Sequence, residues 1–344
     1  MIFSITVDSK EGGIANSLVS YSKGLKLINE EHLVLLPNDA PVIQRLVKLR
    51  NVKILALNKK ILYFHIYTKF FFHKKLGNKL KACKWIFIHN SKLRKYFNGF
   101  HKKVGLINHS GKLRNTVHNA CNIFITSQGL KNFLTRYPVN QSKNLVICHG
   151  FEELKTQTVD RKQEHKNLNI ISAGRFVEKK GFEYLIEAAY LLQENNSTIQ
   201  IKLYGDGPLK QHFKKKIKAL QLQNLILMSW HSSLHTEFLK SDVLCVPSLE
   251  EPFGLIIGEA MINELPVIST KTDGALEIFG DCPEDNGGIL VDFSSPHQLM
   301  NAMLKMEDKQ FRNAVSKNAK NNIMTNFSLV KLSSNLKNLI DNEH

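Results

Sequence analysis

Short apolar runs alternate with longer amphipathic stretches along most of the chain. In the first half the runs are rich in β-branched and aliphatic residues: IFSITV, HLVLLP, VKILAL, KWIFIHN, KVGLINH, CNIFITS and LVICHG. The second half repeats the pattern with LNIISAG, IQIKLY, LILMSW, DVLCVPS, PVIST and GGILVD. Strands that alternate with helical stretches are typical of βαβ units, so the pattern predicts an α/β protein with mainly parallel sheets. Such sheets bind ligands at the carboxyl ends of their strands.

Length and a polar interruption divide the chain into two domains. At 344 residues the chain exceeds what one hydrophobic core usually holds. Residues 153–167, ELKTQTVDRKQEHKN, lack an apolar face and are predicted to form a linker. We therefore expect an N-terminal domain over residues 1–152, a C-terminal domain over residues 168–327, and a last helical segment over residues 328–344.

Positive charge is concentrated in the first half. Residues 1–160 contain 26 Lys and Arg against 8 Asp and Glu, whereas residues 161–344 contain 21 against 22. An anionic partner should therefore meet the N-terminal domain. An anionic membrane surface or a phosphate-bearing lipid acceptor is favoured, and solubilising charge is the second interpretation. Nucleic acid ranks last, because no recognition helix, zinc finger or RNP-type motif accompanies the charge.

Cysteine usage and hydropathy favour a cytoplasmic protein. The five cysteines are widely spaced without metal-ligand spacing, which is typical of buried, reduced thiols. The longest aromatic-aliphatic run, residues 61–72, contains a His and a Lys and is shorter than the roughly 20 apolar residues of a membrane span. The chain enters a strand pattern at once, without a signal-like segment. The basic aromatic stretch over residues 59–103 fits equally a helix lying against a membrane, which would make the protein peripheral on the inner face of the cell membrane, and a helix packed on the sheet.

The segment PSLEEPFGLIIGEAM, residues 247–261, carries the most specific candidate chemistry. It follows the run DVLCVP and opens an apolar helix, so Glu251 is predicted to lie at a strand-to-helix turn. The backbone amides of Phe253, Gly254 and Leu255 would then be first-turn donors suited to an anion or to a ligand rich in hydroxyls.

A second carboxylate, Glu259, stands eight residues after Glu251. The two can bracket a ligand about as long as a nucleotide sugar, with one carboxylate reading sugar hydroxyls and the other a ribose diol. The segment resembles the E-x7-E signature of the retaining glycosyltransferases called group 1 or family 4. That resemblance implies the GT-B architecture: two Rossmann-like, doubly wound parallel-sheet domains facing a central cleft, with a final segment that can cross back onto the N-terminal domain.

Two more segments of the second half resemble the same family. AGRFVEKKGFEYLIEA, residues 173–188, places Arg175 and Lys180 where the family holds the donor diphosphate, a role that suits a guanidinium and an ammonium. YGDGPLKQHF, residues 204–213, resembles the family's glycine-containing turn, which is expected to be structural. STKTDGALEIF, residues 269–279, resembles a later strand, turn and helix.

The resemblance in the first half is thinner. Gly12 and Gly13 resemble a glycine loop through which the backbone approaches donor and acceptor. His109 ends a strand where similar enzymes have a histidine beside the donor sugar, which implies a role in orienting sugar hydroxyls and supporting developing charge. The family's usual Pro-Asn-Gly before the crossover is Cys-His-Gly at residues 148–150, so no role is carried over from that Asn.

The resemblance implies transfer of a sugar from a nucleoside-diphosphate sugar, with retention of configuration, to a glycan or lipid-linked acceptor. UDP-sugar is favoured by family frequency and GDP-sugar comes next; lipopolysaccharide or another cell-surface polysaccharide would suit the basic N-terminal half. No Asp-x-Asp motif is visible, so we expect no metal and no other cofactor, with Arg175, Lys180 and helix ends replacing the ion. Two alternatives are another GT-B enzyme, such as a nucleotide-sugar epimerase, and a non-enzymatic basic module that binds membranes or polyanions.

Overall fold

The chain folds into two compact α/β units. A computed structural model describes residues 1–10, 12–68, 76–109, 121–137, 143–153, 167–230 and 234–342. The first unit contains Met1–Glu152 together with Phe327–His344, and the second contains Glu153–Asn326. The predicted linker, residues 153–167, falls mostly outside the described residues.

Thirteen described strands form two sheets, and each of the thirteen apolar runs of the sequence overlaps one of them. The strands are β1 (Ile2–Ile5), β2 (His32–Pro37), β3 (Val52–Leu57), β4 (Trp85–Ile88), β5 (Val104–Asn108), β6 (Cys121–Phe124), β7 (Asn144–Val146), β8 (Asn169–Arg175), β9 (Gln200–Asp206), β10 (Leu225–Met228), β11 (Val243–Val246), β12 (Val267–Thr270) and β13 (Gly288–Val291). The strand predictions are therefore confirmed.

Helices fill the intervals between the strands. The described α-helices are α1 (Gly13–Leu27), α2 (Ile43–Leu46), α3 (Lys59–Thr68), α4 (Gly77–Ala82), α5 (Ser127–Arg136), α6 (Phe182–Glu194), α7 (Lys210–Ala219), α8 (His235–Phe238), α9 (Leu255–Ile262), α10 (Asp273–Phe279), α11 (Pro296–Lys305), α12 (Lys309–Asn326) and α13 (Leu329–Asp341). Residues Ser91–Lys103 and Glu178–Lys180 form 3-10 helices. None of the described helices is long and apolar enough to cross a membrane.

The first unit is a seven-stranded parallel sheet in the order β3-β2-β1-β4-β5-β6-β7. Successive side chains of β2 point to opposite faces, as a pleated strand requires. Leu33 and Leu35 join one core cluster with α3, α4 and α5, and Val34 and Leu36 join a second with α1 and α2. The order of winding reverses between β1 and β4, which places the loops after these strands next to each other.

The last helix, α13, belongs to the first unit. Ser328 caps its start by accepting a hydrogen bond from the amide of Lys331 at 3.2 Å. The amide of Phe151 donates to Phe327 O at 2.8 Å, and the amide of Leu329 donates to Phe151 O at 2.7 Å. This short parallel bridge fixes the helix beside the end of the N-terminal sheet.

The second unit is a six-stranded parallel sheet in the order β10-β9-β8-β11-β12-β13. Its winding reverses between β8 and β11. An aromatic cluster lies beside the carboxyl end of β8: the ring centroid of Phe176 is 5.6 Å from that of Phe182 and 5.4 Å from that of Phe213, both edge to face. Because Phe176 is fully buried, the chain directly after Arg175 is anchored to α6 and α7.

All five cysteines are free thiols. Cys83 and Cys245 are buried and Cys121 and Cys148 are half-buried, in keeping with the expectation of core thiols. Cys282 is exposed, because it lies in the turn between α10 and β13 rather than in a strand.

The first unit buries neutral histidines. His32, at the start of β2, has its Nδ1 2.7 Å from Ser22 Oγ and its Nε2 2.7 Å from Ser4 Oγ. Burial lowers the pKa of His32 and of His109 to about 3 and the pKa of His149 to about 4. Burial also lowers the pKa of His89 well below its usual value, with a smaller contribution from His109. Desolvation disfavours the charged imidazolium in each case.

These histidines make the first unit sensitive to acid. Well above pH 6.5, the ordinary pKa of a histidine, they add no pH dependence to the free energy of unfolding. Below it the unfolded chain binds protons that the folded unit does not bind until about pH 4 or 3, so stability falls as pH falls. Each histidine should add a slope of about 1.4 kcal/mol per pH unit.

Urea unfolding followed by the fluorescence of buried Trp85 measures this slope. A Trp230→Phe variant leaves Trp85 as the single tryptophan, since the chain has two. His149→Gln should reduce the slope between pH 6 and 4 by the share of one histidine, about 1.4 kcal/mol per pH unit. A wild-type stability that stays flat over this interval would contradict the assignment of neutral buried rings.

Candidate functional site

The predicted residues of the second half gather at one edge of the second sheet. β8, β11 and β12 are neighbours in the strand order, and all pair in parallel. The loops that follow them therefore leave the sheet at the same edge, at the point where the winding reverses. This is where open α/β sheets bind ligands.

Arg175 is the last residue of β8 and is exposed. Its backbone is fixed, because it pairs with Asp206 of β9 and the next amide, that of Phe176, donates to Asp206 O at 2.8 Å. The guanidinium makes no hydrogen bond or ion pair with the residues of the described ranges. A fixed backbone with an unpaired cationic head is suited to an anionic ligand.

Lys180 closes the 3-10 turn that follows and touches the loop after β11. Its Nζ donates to the carboxylate of Glu251, and the two side chains are only 20% and 14% exposed. In this state the cation and the carboxylate therefore neutralise each other. The contact joins residues 71 positions apart in the chain.

The backbones of the two loops are also tied together. The amides of Leu249 and Glu250 donate to Lys179 O at 2.8 and 3.2 Å. Gly181, with φ 64°, is the N-cap of α6 and lies at the point of closest approach, where a Cβ would lie 1.9 Å from Pro247 O. Only glycine fits there, so the approach of Lys180 to Glu251 is built into the backbone.

The helix after Glu251 starts later than its sequence indicates. Gly254 is the N-cap with φ 81°, and α9 begins at Leu255. A left-handed residue cannot be part of the helix, so the first-turn amides are those of Leu255 and Ile256. The expected donor amides of Phe253 and Gly254 precede the helix, and the Phe253 side chain is 2% exposed.

Glu259 lies in the second turn of α9 and is exposed. Its carbonyl oxygen accepts a hydrogen bond from Asn263 Nδ2 at 2.8 Å. Glu251 therefore lies in the loop before α9, and Glu259 lies within that helix.

The end of β12 and the start of α10 support Glu251 and the residues before it. The amide of Gly274 donates to Glu251 O at 3.0 Å, and a Cβ at Gly274 would lie 2.2 Å from the carbonyl carbon of Phe253. Thr270 Oγ1 donates to Ser248 O. Sequence reasoning did not assign these supports, because they are main-chain contacts across about twenty residues and leave no residue-type pattern beyond one glycine.

The predicted residues of the first half lie in the first unit. Gly12, with φ 152°, is the N-cap of α1, and Gly13 is its first residue. A Cβ at either glycine would meet no atom within 4 Å among the described residues. His109 directly follows β5, with its Nε2 3.0 Å from Nδ1 of His89.

Asn90 organises the carboxyl edge of the first sheet and was not singled out from the sequence. Its Oδ1 accepts hydrogen bonds from Thr6 Oγ1 and from the amide of Val7, both at 2.9 Å. The loops after β1 and β4 are thereby joined. Among the described residues, no group of three or more His, Cys, Asp or Glu could hold a metal ion.

Comparison with known sequences identifies the second unit. Residues 155–322 match the sequence model of the family described as glycosyl transferases group 1. The Escherichia coli UDP-Gal:alpha-D-GlcNAc-diphosphoundecaprenol alpha-1,3-galactosyltransferase is 30% identical over 172 residues, 48% of this chain and 43% of that protein. The lipopolysaccharide core biosynthesis glycosyltransferase LpsE of Rhizobium meliloti (strain 1021) is 27% identical over 161 residues, 46% of this chain and 45% of that protein. The matches span less than half the length of these relatives.

Comparison with solved structures extends the likeness to the whole chain at the level of the fold. Anabaena Alr3699/HepE, solved in complex with UDP, superposes with a TM-score of 0.81 at 18% identity, covering 99% of each chain. The chain therefore has the GT-B fold, and its residues 155–322 match the group 1 glycosyl transferases.

Proposed function

We propose that the chain is a glycosyltransferase that moves a sugar from a nucleoside-diphosphate sugar to a glycan or lipid-linked acceptor. The observation that carries the proposal is the contact between Lys180 and Glu251 at the carboxyl ends of β8 and β11. A cation for a diphosphate and a carboxylate for sugar hydroxyls meet there, beside the N-terminus of α9. Each part of a nucleotide sugar thus has a chemically matched group.

In this proposal Arg175 and Lys180 bind the diphosphate of the donor. When the bond between the anomeric carbon and the diphosphate oxygen breaks, negative charge grows on the departing nucleotide. Two cations and the first-turn amides of α9 stabilise that charge more in the transition state than in the ground state, which accelerates the step. We propose that these groups act without a divalent ion. Turnover that is unchanged by EDTA supports this proposal. Turnover that EDTA abolishes and Mg²⁺ restores contradicts it.

In this proposal the carboxylates of Glu251 and Glu259 bind the sugar and the ribose of the donor. Glu251 accepts hydrogen bonds from sugar hydroxyls, and Glu259 accepts them from the ribose diol. Gly12 and Gly13 let the backbone of the first unit approach the ligand, and His109 orients the sugar. Transfer retains the configuration at the anomeric carbon, which the anomeric coupling of the product in NMR spectra tests.

UDP-sugar is the favoured donor and GDP-sugar the second. The Anabaena neighbour is described in complex with UDP, with UDP and glucose, and with UDP-glucose. The name of the Escherichia coli relative gives UDP-Gal as donor and a diphosphoundecaprenol-linked sugar as acceptor. With the lipopolysaccharide relative, this supports a role in cell-surface polysaccharide synthesis.

The first unit has surface features suited to binding the cytoplasmic face of a membrane. α3 buries Leu62 and Ile66 but leaves Ile61 49% and Phe64 61% exposed, beside Lys60, in the half that carries the positive charge. An apolar and cationic face suits an anionic bilayer. Cosedimentation with phosphatidylglycerol vesicles tests this; Phe64→Ser should reduce it, and equal cosedimentation of both proteins contradicts it.

Nucleotide binding should depend on Lys180 and not on its neighbour Lys179. Lys180→Ala removes a charge-assisted contact with the diphosphate, so the affinity for the nucleotide should fall about 10- to 100-fold. Lys179→Ala removes the same charge from an exposed side chain, whereas the loop uses only its carbonyl oxygen. That control should bind like the wild type.

Thermal unfolding with UDP, GDP, ADP, CMP and dTDP measures the effect, because a ligand at 100 times its Kd adds about 2.7 kcal/mol. One nucleoside diphosphate should stabilise the wild type and Lys179→Ala, and Lys180→Ala much less. If none stabilises the wild type at millimolar concentration, the proposed donor site is wrong.

Glu251→Gln should change binding and turnover in opposite directions. Without the carboxylate, Lys180 is freed for the diphosphate, so the affinity for UDP should rise about fivefold. Turnover should fall about 100-fold, because the sugar loses a charged acceptor in the transition state. Calorimetric titration with UDP and a transfer assay measure the two effects; weaker UDP binding would show that the pair in the free protein does not compete with the ligand.

A further inference from the structure

Two histidines meet edge to edge at the carboxyl end of the first sheet. His89 follows β4 and His109 follows the neighbouring strand β5. Nδ1 of His89 lies 3.0 Å from Nε2 of His109. The ring planes differ by 18° and the centroids are 5.2 Å apart. Nearly parallel rings with this centroid separation and this short nitrogen contact lie side by side, which is the geometry of an in-plane N–H···N hydrogen bond.

His89 is held firmly from its own side. It is 3% exposed, and its amide donates to Ile5 O at 3.1 Å. The ring of Tyr21, from α1, packs edge to face against it with centroids 6.5 Å apart. His89 is therefore a rigid support, fixed by β1 and α1, for the ring of His109.

The hydrogen bond couples the proton positions of the two rings. A neutral imidazole carries one N–H and one lone pair. If His89 donates from Nδ1, His109 accepts at Nε2 and must carry its own proton on Nδ1. If His109 donates from Nε2, His89 must carry its proton on Nε2. In both hydrogen-bonded states the two rings share the same tautomer.

Each state gives the outer nitrogen of His109 a different hydrogen-bonding role. The outer nitrogens, His89 Nε2 and His109 Nδ1, are buried and have no hydrogen-bond partner among the described residues. Nδ1 of His109 is either a donor or an acceptor according to the state of the pair. Burial keeps the pKa of both rings low, so the pair stays neutral at physiological pH and the choice is one of tautomer, not of charge.

We infer that His89 is a positioning residue for His109: it fixes the ring and the tautomer that His109 presents at Nδ1. The coupling of tautomers stands on the geometry of the first unit alone. Its effect on catalysis rests on the proposed function, in which His109 meets the donor sugar. Which nitrogen of a histidine carries the proton is commonly set by the hydrogen bond of the other nitrogen.

The ring ¹⁵N shifts of labelled histidine test the coupling without any assay. In the wild type, His89 and His109 should both be Nδ1–H or both be Nε2–H. In His89→Phe the tautomer ratio of His109 should change. Opposite tautomers in the wild type, or an unchanged His109 signal in His89→Phe, would overturn the inference. His32→Asn, which removes another buried histidine of the same sheet, should lower stability and leave the His109 signal unchanged.

Kinetics test the consequence. His89→Phe should lower kcat about tenfold, the effect of one lost hydrogen bond, with KM for the donor changed little. His89→Asn keeps a donor and acceptor near the Nδ1 position and should recover most of kcat. Equal damage by both variants at equal thermal stability, or damage by neither, would overturn the positioning role.

The two proposals fail in different ways. If His109→Ala keeps the wild-type kcat, the assigned role of His109 at the donor is wrong, whatever the shifts show. If His109→Ala is inactive and the wild-type rings have opposite tautomers, only the role of His89 is wrong.

Discussion

The loops after β8 and β11 are neighbours because the strand order reverses between these two strands, and the site depends on that adjacency. All strands of a parallel sheet have their carboxyl ends at the same edge, so the loops that follow neighbouring strands lie close together. Here the two loops are held together by main-chain hydrogen bonds from the amides of Leu249 and Glu250 to Lys179 O. Gly181 allows their close approach, because it has no side chain at the contact. The charged side chains then meet because their backbones have no freedom to separate.

The ion pair between Lys180 and Glu251 bears on the proposed function. A cationic site that must bind a diphosphate would also hold the product tightly after transfer. A carboxylate that pairs with the lysine in the empty site offers the cation another partner when the nucleotide leaves. In the function we propose, the same contact balances donor binding against product release, which a catalyst that turns over repeatedly requires.

The architecture could be predicted from the sequence because the alternation of short apolar runs with amphipathic stretches indicates strands that alternate with helices. Every described strand of both sheets overlaps an apolar run, and the described helices fill the intervals. The start of α9 was placed too early, because the left-handed φ of Gly254 is a conformational choice that residue type only permits. Contacts between distant positions were not predictable: the pairing of Lys180 with Glu251, of His89 with His109, and of Gly274 with the backbone of Glu251 follows from strand order, and a single sequence does not give strand order.

The proposed donor site is tested most directly by hydrogen exchange of the wild-type protein with and without saturating UDP, read by mass spectrometry at the level of peptides. Peptides over residues 175–182 and 249–262 should exchange more slowly with the nucleotide, because their amides line the loops after β8 and β11 and the first turn of α9. A peptide over residues 214–227, which follows α7 into β10 away from this edge, should not change. Protection confined to residues 214–227, or to the first unit, would contradict a diphosphate site at the edge where the second sheet reverses.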